Sequence, residues 1–448
     1  MGFNPRVILS GFIALFSIQA LAAPLADQPP TLPSNDAFYN VPANADKLPP
    51  GGIISHRPPP APIRAFRTLP FNLKEAHQFL YRTTDSHGNA TATVLTVFVP
   101  YFADYSKVLS YQNAEDAAYL NCAPSYVYQK DSVDAGTQTT QLEILLIEAA
   151  LEQNWVVIVP DHEGYKGAFT ANRAGGHAVL DGIRAALSSG SITGIKPNAR
   201  VAMWGYSGGS LVSGWAAELQ PTYAPELKIV GVAAGGNVPD IMSAVRTVNG
   251  GPNAGLLPAG ILGMGKEFPE LAAEVEKHIK PENRDHLHKA LSQCLGANGD
   301  TFGNQDILGM FDDPNILDNP ILKSTVAAND LGHTGTPKIP LYIYKAVKDE
   351  ISPVADTDAL VQRYCSTGGS VTYVRDGSAN HGSLAVIGAF KALAWLHGVM
   401  DGHVPPKSCS TVTLPSTLLD LVSTLEFLPL TLVNALLDII GKPIGVLK

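Results

Sequence analysis

The stretch Val201-Ala202-Met203-Trp204-Gly205-Tyr206-Ser207-Gly208-Gly209 is an apolar run that breaks at a glycine, turns through one serine and leaves through two more glycines. Gly205 to Gly209 fits G-x-S-x-G, the pattern of a strand-to-helix turn so sharp that the serine is strained and its Oγ projects from the sheet. Glycines flank such a serine because a Cβ there would collide with neighbouring backbone, and because the turn needs conformations that other residues avoid. Gly/Ser loops match five residues of this kind by chance, so context decides. An apolar run, Ile195 to Trp204, precedes the turn, interrupted at Pro197-Asn198. A helix-like stretch, Ser210 to Leu219, follows it, and a second strand-like run spans Leu227 to Ala234. Strand, elbow, helix, strand is the setting in which Ser207 is a nucleophile.

Upstream of the elbow, strand-like runs cover Gln78 to Arg82, Ala92 to Pro100 and Lys107 to Gln112. The continuous apolar run Trp155 to Val159 reads as a strand buried on both faces, and it ends in Pro160-Asp161-His162-Glu163-Gly164. Leu142 to Gln153 and Ala178 to Ser188 have helical spacing. Downstream, Pro340 to Tyr344 and Ser370 to Val374 restore the strand pattern, with Ser383 to His397 as a helix behind them. This alternation predicts an α/β fold, a mostly parallel sheet with helices on both faces and functional groups at the carboxyl ends of the strands. Between Asn237 and Thr336 no strand is evident. Glu270 to Ile279 and Arg284 to Cys294 read there as amphipathic helices of an inserted cap.

The 448 residues, 45% hydrophobic and 16% charged, describe a globular chain with a large core. A formal charge of −9 argues against a nucleic-acid partner. Arg6, the apolar run Val7 to Ile18 and Ala20-Leu21-Ala22 have the form of a secretory signal cut after Ala22, a run too short to span a membrane. A secreted, extracellular chain gives its four cysteines a role. Cys122, Cys294, Cys365 and Cys409 can form two bridges, with three possible connectivities. No Cys/His cluster points to a metal, and no cofactor is expected. Asn89-Ala90-Thr91 is an N-glycosylation acceptor in a polar turn.

A serine hydroxyl needs a base, and the base a carboxylate to orient it; in the elbow's fold the chain order is Ser, then Asp/Glu, then His. Asp349 follows the run Leu341 to Val347 closely. Glu350 is its nearest rival, while Asp356 and Asp358 lie further on, where Asp358-Ala359-Leu360-Val361 begins a helix. His381 sits on a loop after a strand and before a helix. His397 lies inside that helix, His403 beyond it, and His333 and His162 precede the acid. Beside Asp161 and Glu163, His162 reads as part of a polar network. For the oxyanion, the N–H of Gly208 is one donor, and the strand-end loop at Glu115-Asp116 is the candidate for the other.

Several longer motifs resemble the fungal secretory lipases, in the same order along the chain. They are the elbow itself; Glu115-Asp116-Ala117 with Cys122-Ala123-Pro124-Ser125-Tyr126; Asp161-His162-Glu163-Gly164-Tyr165-Lys166; Tyr223-Ala224-Pro225-Glu226-Leu227; Asn249-Gly250-Gly251-Pro252; and Asp349-Glu350-Ile351 with Pro353. The similarity runs from about Pro30 to Cys409. It implies an α/β-hydrolase fold with a helical cap over an acyl site, hydrolysing carboxylic esters including triacylglycerols. It also implies Ser207, Asp349 and His381 as the triad, Asp116 and Gly208 as the oxyanion pair, bridges Cys122–Cys294 and Cys365–Cys409, and a flap formed by the tail.

The expected division is a signal peptide at 1–22, a Pro-rich arm at 23–75, core at 76–236 and 337–409, cap at 237–336, and an apolar C-terminal flap at 410–448. The expected partner is an acyl-ester lipid at a lipid–water interface. Neither a transmembrane segment nor an oligomeric state is assigned. Three other readings stay open: an esterase that deacetylates a small secreted metabolite, a peptidase, and a non-catalytic lipid-binding protein. The apolar tail equally fits a segment packed on the core.

Overall fold

The computed structural model describes residues 29–417 and Ile444. The expected signal peptide at 1–22 and nearly all of the expected flap beyond Thr417 lie outside the described residues. Strands are numbered in chain order: β1 Ile53–Arg57, β2 Glu75–Thr84, β3 Ala90–Val99, β4 Asp104–Gln112, β5 Trp155–Pro160, β6 Arg200–Tyr206, β7 Ile229–Gly235, β8 Leu341–Ala346, β9 Val371–Asp376 and β10 Cys409–Leu414. They form one sheet in the order β1-β2-β3-β5-β4-β6-β7-β8-β9-β10. Pairing is antiparallel from β1 to β5 and parallel from there to β10.

Alternation along the central strands builds two apolar layers, because successive side chains point to opposite faces. Val201 and Met203 of β6 join one layer, under the helices Asn172–Ser188, Gly208–Tyr223 and Val354–Ser366. Ala202, Trp204 and Tyr206 join the other, under Ile144–Leu151, His381–Ile387 and Ala389–Met400. The run 155–159 is buried throughout, as a strand covered on both faces must be. Between β7 and β8 every described element is a helix or a turn, around a separate core that includes Leu257, Leu271, Phe302, Phe311 and Leu322. Among the described residues no single helix is long and apolar enough to cross a membrane.

The structure departs from the sequence reading in five places. The arm contributes β1, whose register with β2 runs from Ile53↔Tyr81 to Arg57↔Gln78, so its backbone is satisfied by the sheet edge rather than by solvent. The sheet also continues past Cys409: β10 pairs in parallel with β9 from Val371↔Cys409 to Asp376↔Leu414, and the expected flap therefore begins as a strand. Further on, Ile444 is fully buried, giving its N–H to Asn72 and its carbonyl to the N–H of Tyr101. The run Arg284 to Cys294 is not one helix but a turn of α-helix, Arg284–Leu287, and a 3-10 turn, His288–Ser292. Gln293 is extended there, which carries Cys294 to its bond with Cys122. The expected helix Ser383 to His397 is bent by 45° between His381–Ile387 and Ala389–Met400, at Gly388, which lies against the Tyr344 ring. Asp358 does not open its helix; the helix starts at Val354, behind Pro353.

The disulfides are Cys122–Cys294 and Cys365–Cys409. The first ties the loop after β4 to the helical insertion across 172 residues, and the second ties the helix Val354–Ser366 to β10 across 44. Closing loops of this length stabilises mainly by restricting the unfolded chain.

Candidate active site

Strand β6 lies between β4 and β7, and its carboxyl end delivers the chain to Ser207. Ser207 has φ +52° and ψ −121°, a left-handed conformation that costs a non-glycine residue about 1–3 kcal/mol. Its surroundings hold it there. The Ser207 N–H donates to the carbonyl of Gly235 at 2.9 Å, and the helix Gly208–Tyr223 starts at once. The flanking glycines are required by contact: a Cβ at Gly205 would lie 2.2 Å from the Gly209 carbonyl oxygen, and one at Gly209 would lie 1.9 Å from that of Gln112.

His381 opens the helix His381–Ile387 behind Asn380, whose side chain and that of Ser383 form a reciprocal cap. Its ring is almost wholly buried. Nδ1 is 2.8 Å from Asp349 Oδ2, and Nε2 is 2.9 Å from Ser207 Oγ. A carboxylate at Nδ1 places the ring proton there and leaves Nε2 to accept from the serine hydroxyl. Two main-chain contacts fix the ring's position. The His381 N–H donates to Glu350 Oε2 at 2.9 Å, and the Tyr206 hydroxyl donates to the His381 carbonyl at 2.5 Å.

Asp349 is buried on the loop after β8. Its Oδ1 accepts from the N–H groups of Ile351 and Ser352, both at 2.9 Å. Its Oδ2 accepts from His381 and from the Lys345 ammonium at 2.9 Å. Burial alone would raise this carboxyl, but the His381 and Lys345 contacts and the Ser352 N–H hold it well below the usual carboxylate range.

Asp116 lies on the loop after β4 with φ +48°. Its carboxyl rests against the α-carbon of Gly208, where a Cβ would meet Oδ1 at 1.9 Å. Oδ1 is buried without a hydrogen-bond partner among the described residues, and burial pushes the carboxyl up to about 7. Gly208 is in the first turn of its helix, where backbone N–H groups have no intrahelical acceptor. The Gly208 N–H and a carboxyl that holds its proton up to about 7 therefore lie beside Ser207. Glu143 pins the loop by accepting from the Ala114 N–H at 2.9 Å and the Asn113 amide at 3.0 Å, and the His162 ring meets the Asn113 carbonyl at 2.8 Å.

Glu350, the nearest rival of Asp349, accepts from the His381 N–H, and four of the other rivals lie elsewhere. Asp358 faces Arg375 at 3.1 Å, His397 is 3.3 Å from Asp401, His333 is beside Arg363, and His403 is exposed. Sequence reading missed Lys345, Glu143 and the part played by Glu350. Their partners come from other segments, and the only available signal was a lysine inside an apolar strand run. Among the described residues no group of His, Cys, Asp and Glu could hold a metal ion.

Ser207, Gly208 and Asp116 form the polar end of an apolar cavity, partly open to solvent, whose walls come largely from the helical insertion and include Ile241, Val245, Leu257, Ile261 and Leu322. The site thus joins a Ser207–His381–Asp349 hydrogen-bonded chain, the Asp116 carboxyl beside Gly208 and an apolar cavity.

Comparison with known proteins is consistent with this geometry. A family model for the secretory lipases matches residues 129–407. Lipase A of Arthroderma benhamiae is 44% identical over 434 residues, covering 96% of this chain and 92% of that protein. Lipase 5 of Candida albicans is 39% identical over 410 residues, covering 90% and 88%. The crystal structure of Candida antarctica lipase A superposes with a TM-score of 0.81 at 29% identity, covering 93% of this chain and 99% of that one. A cell-wall-degrading esterase from Xanthomonas oryzae shares the fold at a TM-score of 0.60 and 15% identity. The chain belongs to the secretory lipase family, and it is a hydrolase of the lipase and esterase class.

Proposed function

We propose that this protein is a secreted serine lipase that cleaves long-chain acyl esters, triacylglycerols among them, through an acyl-enzyme on Ser207. Ser207 Oγ attacks the ester carbonyl carbon while His381 Nε2 takes its proton, and Asp349 holds the resulting imidazolium. The carbonyl oxygen, now negative, is met by the Gly208 N–H and by Asp116 in its protonated form. The intermediate collapses, His381 returns the proton to the leaving alcohol, and water repeats the sequence to release the acid.

The observation that carries the substrate class is the cavity. Asp116, Ser207 and Thr170 are the polar side chains among its described lining, and most of the remainder is aliphatic, with Phe169, Met242 and Met264, a wall suited to an acyl chain. Residues 237–336 act in this reading as a cap over the site. Export would follow removal of residues 1–22, with Asn89 glycosylated on its exposed turn.

The test is hydrolysis of p-nitrophenyl esters from acetate to palmitate by the secreted protein and by its Ser207→Ala variant. Activity should rise with chain length and fall by about 10⁴-fold or more in the variant. Serine-dependent activity confined to acetate would replace the lipase with a small-ester deacetylase. Absence of covalent labelling of Ser207 by a lipophilic phosphonate would favour the non-catalytic lipid binder.

A further inference from the structure

Strand β8 reads Leu341-Tyr342-Ile343-Tyr344-Lys345-Ala346, and every one of these residues is buried. Leu341 and Ile343 belong to the apolar layer on one face, so alternation assigns Lys345 to a position where an aliphatic residue is expected. Its side chain is wholly inaccessible. A lysine is almost never placed there unless it is paired. The ammonium has two partners: Asp349 Oδ2 at 2.9 Å and the main-chain carbonyl of Asn237, on the loop after β7, at 2.7 Å.

We infer that Lys345 is a positioning residue for the catalytic acid: it shares Asp349 Oδ2 with His381, braces the loops after β7 and β8 together, and partly neutralises the carboxylate that the imidazolium will face. The inference rests on the triad assignment above. An uncompensated buried carboxylate would favour the protonated, inactive form of the base. A buried cation on the same oxygen weakens that preference and keeps the base available at lower pH.

The other charged and titratable groups around the pair are few. Glu350 lies on the same loop and accepts from the His381 N–H. Asp356, on the helix Val354–Ser366, faces Lys345 and is itself near Asp240. Tyr206 and Tyr373 come from β6 and β9. Burial pushes the Lys345 ammonium down, and Asp349 and Asp356 push it back up.

The experiment is the pH profile of kcat/KM for Lys345→Met, Lys345→Gln and Lys345→Arg beside the native protein, with phosphonate labelling of Ser207 in each. Loss of the charge should move the acid limb up by about one pH unit in the Met and Gln variants. The Arg variant, which keeps the charge, should retain the native limb. An acid limb that stays in place in both neutral variants overturns the inference while leaving the triad standing. Native protein that fails to label at Ser207 overturns the triad assignment and the inference with it. Should the neutral variants not fold, the ¹⁵N-lysine spectrum of the native protein decides: an ammonium at Lys345 at neutral pH is expected, and a neutral amine there overturns the inference.

Discussion

Asp116 and Asp349 are the same residue type, both buried, both at the carboxyl ends of strands of one sheet, yet they ionise in opposite directions. Asp349 receives two main-chain N–H groups, an imidazole and an ammonium, which together outweigh the cost of burial and keep it charged. Asp116 has Oδ1 buried without a partner, and burial alone pushes it up to about 7. Desolvation is common to both; the number of donors differs. A carboxylate supplied with donors becomes a fixed anion that can orient a base. One deprived of them holds its proton to higher pH, up to about 7 here, and can donate while it does.

The contrast can be broken at its charged end first. Asp349→Asn should lower kcat by about 10³–10⁴-fold, because an amide no longer selects the His381 tautomer that accepts from serine. It should also destabilise the fold by about 3–5 kcal/mol by leaving the Lys345 ammonium without its counter-charge. Steady-state kinetics and denaturant titration read the two effects separately, and native-like kcat would refute the role given to Asp349.

At the neutral end, Asp116→Ala should lower kcat by about 10²–10³-fold with little change in KM, since the donor acts on charge that develops only in the transition state. A change confined to KM would instead place Asp116 in ground-state binding.

The smallest effect sharpens the comparison most. In Asp116→Asn the amide donates at any pH, so activity should stay within about tenfold of native at its optimum. The alkaline limb near 7 should disappear. Stability should respond in the same window. Below the unfolded carboxyl's titration near 4 both states hold the proton; between there and about 7 the folded state alone keeps it; above 7 both have lost it. The native protein therefore loses stability as pH rises through that interval, and the variant should not. An alkaline limb that survives in the variant would assign it to another group.

Much of this site was legible in the chain. Gly205 and Gly209 announced the elbow because the backbone there is too close for any Cβ, a constraint a sequence records directly. Asp349 and His381 could be singled out because chain order and strand ends mark such positions without knowledge of contacts, and the fold brings both into hydrogen-bond reach in line with Ser207. Lys345 was passed over inside a strand run, since its value depends on Asn237 and Asp349 arriving from other loops. β1 and β10 were missed because edge strands among prolines and polar residues carry a weak alternation, and their pairing is supplied by β2 and β9. Gly388 looked like an ordinary residue in one apolar helix until the Tyr344 ring beside it was known.

The sequence by itself determined the mostly parallel sheet and singled out Ser207, Asp349 and His381 as candidates in that order, because these follow from local periodicity, turn chemistry and spacing. Only the tertiary structure decided which carboxyl is held below the usual range and which is pushed above it. Ionisation is set by the donors and the water around a group, and those come from segments far apart in the chain.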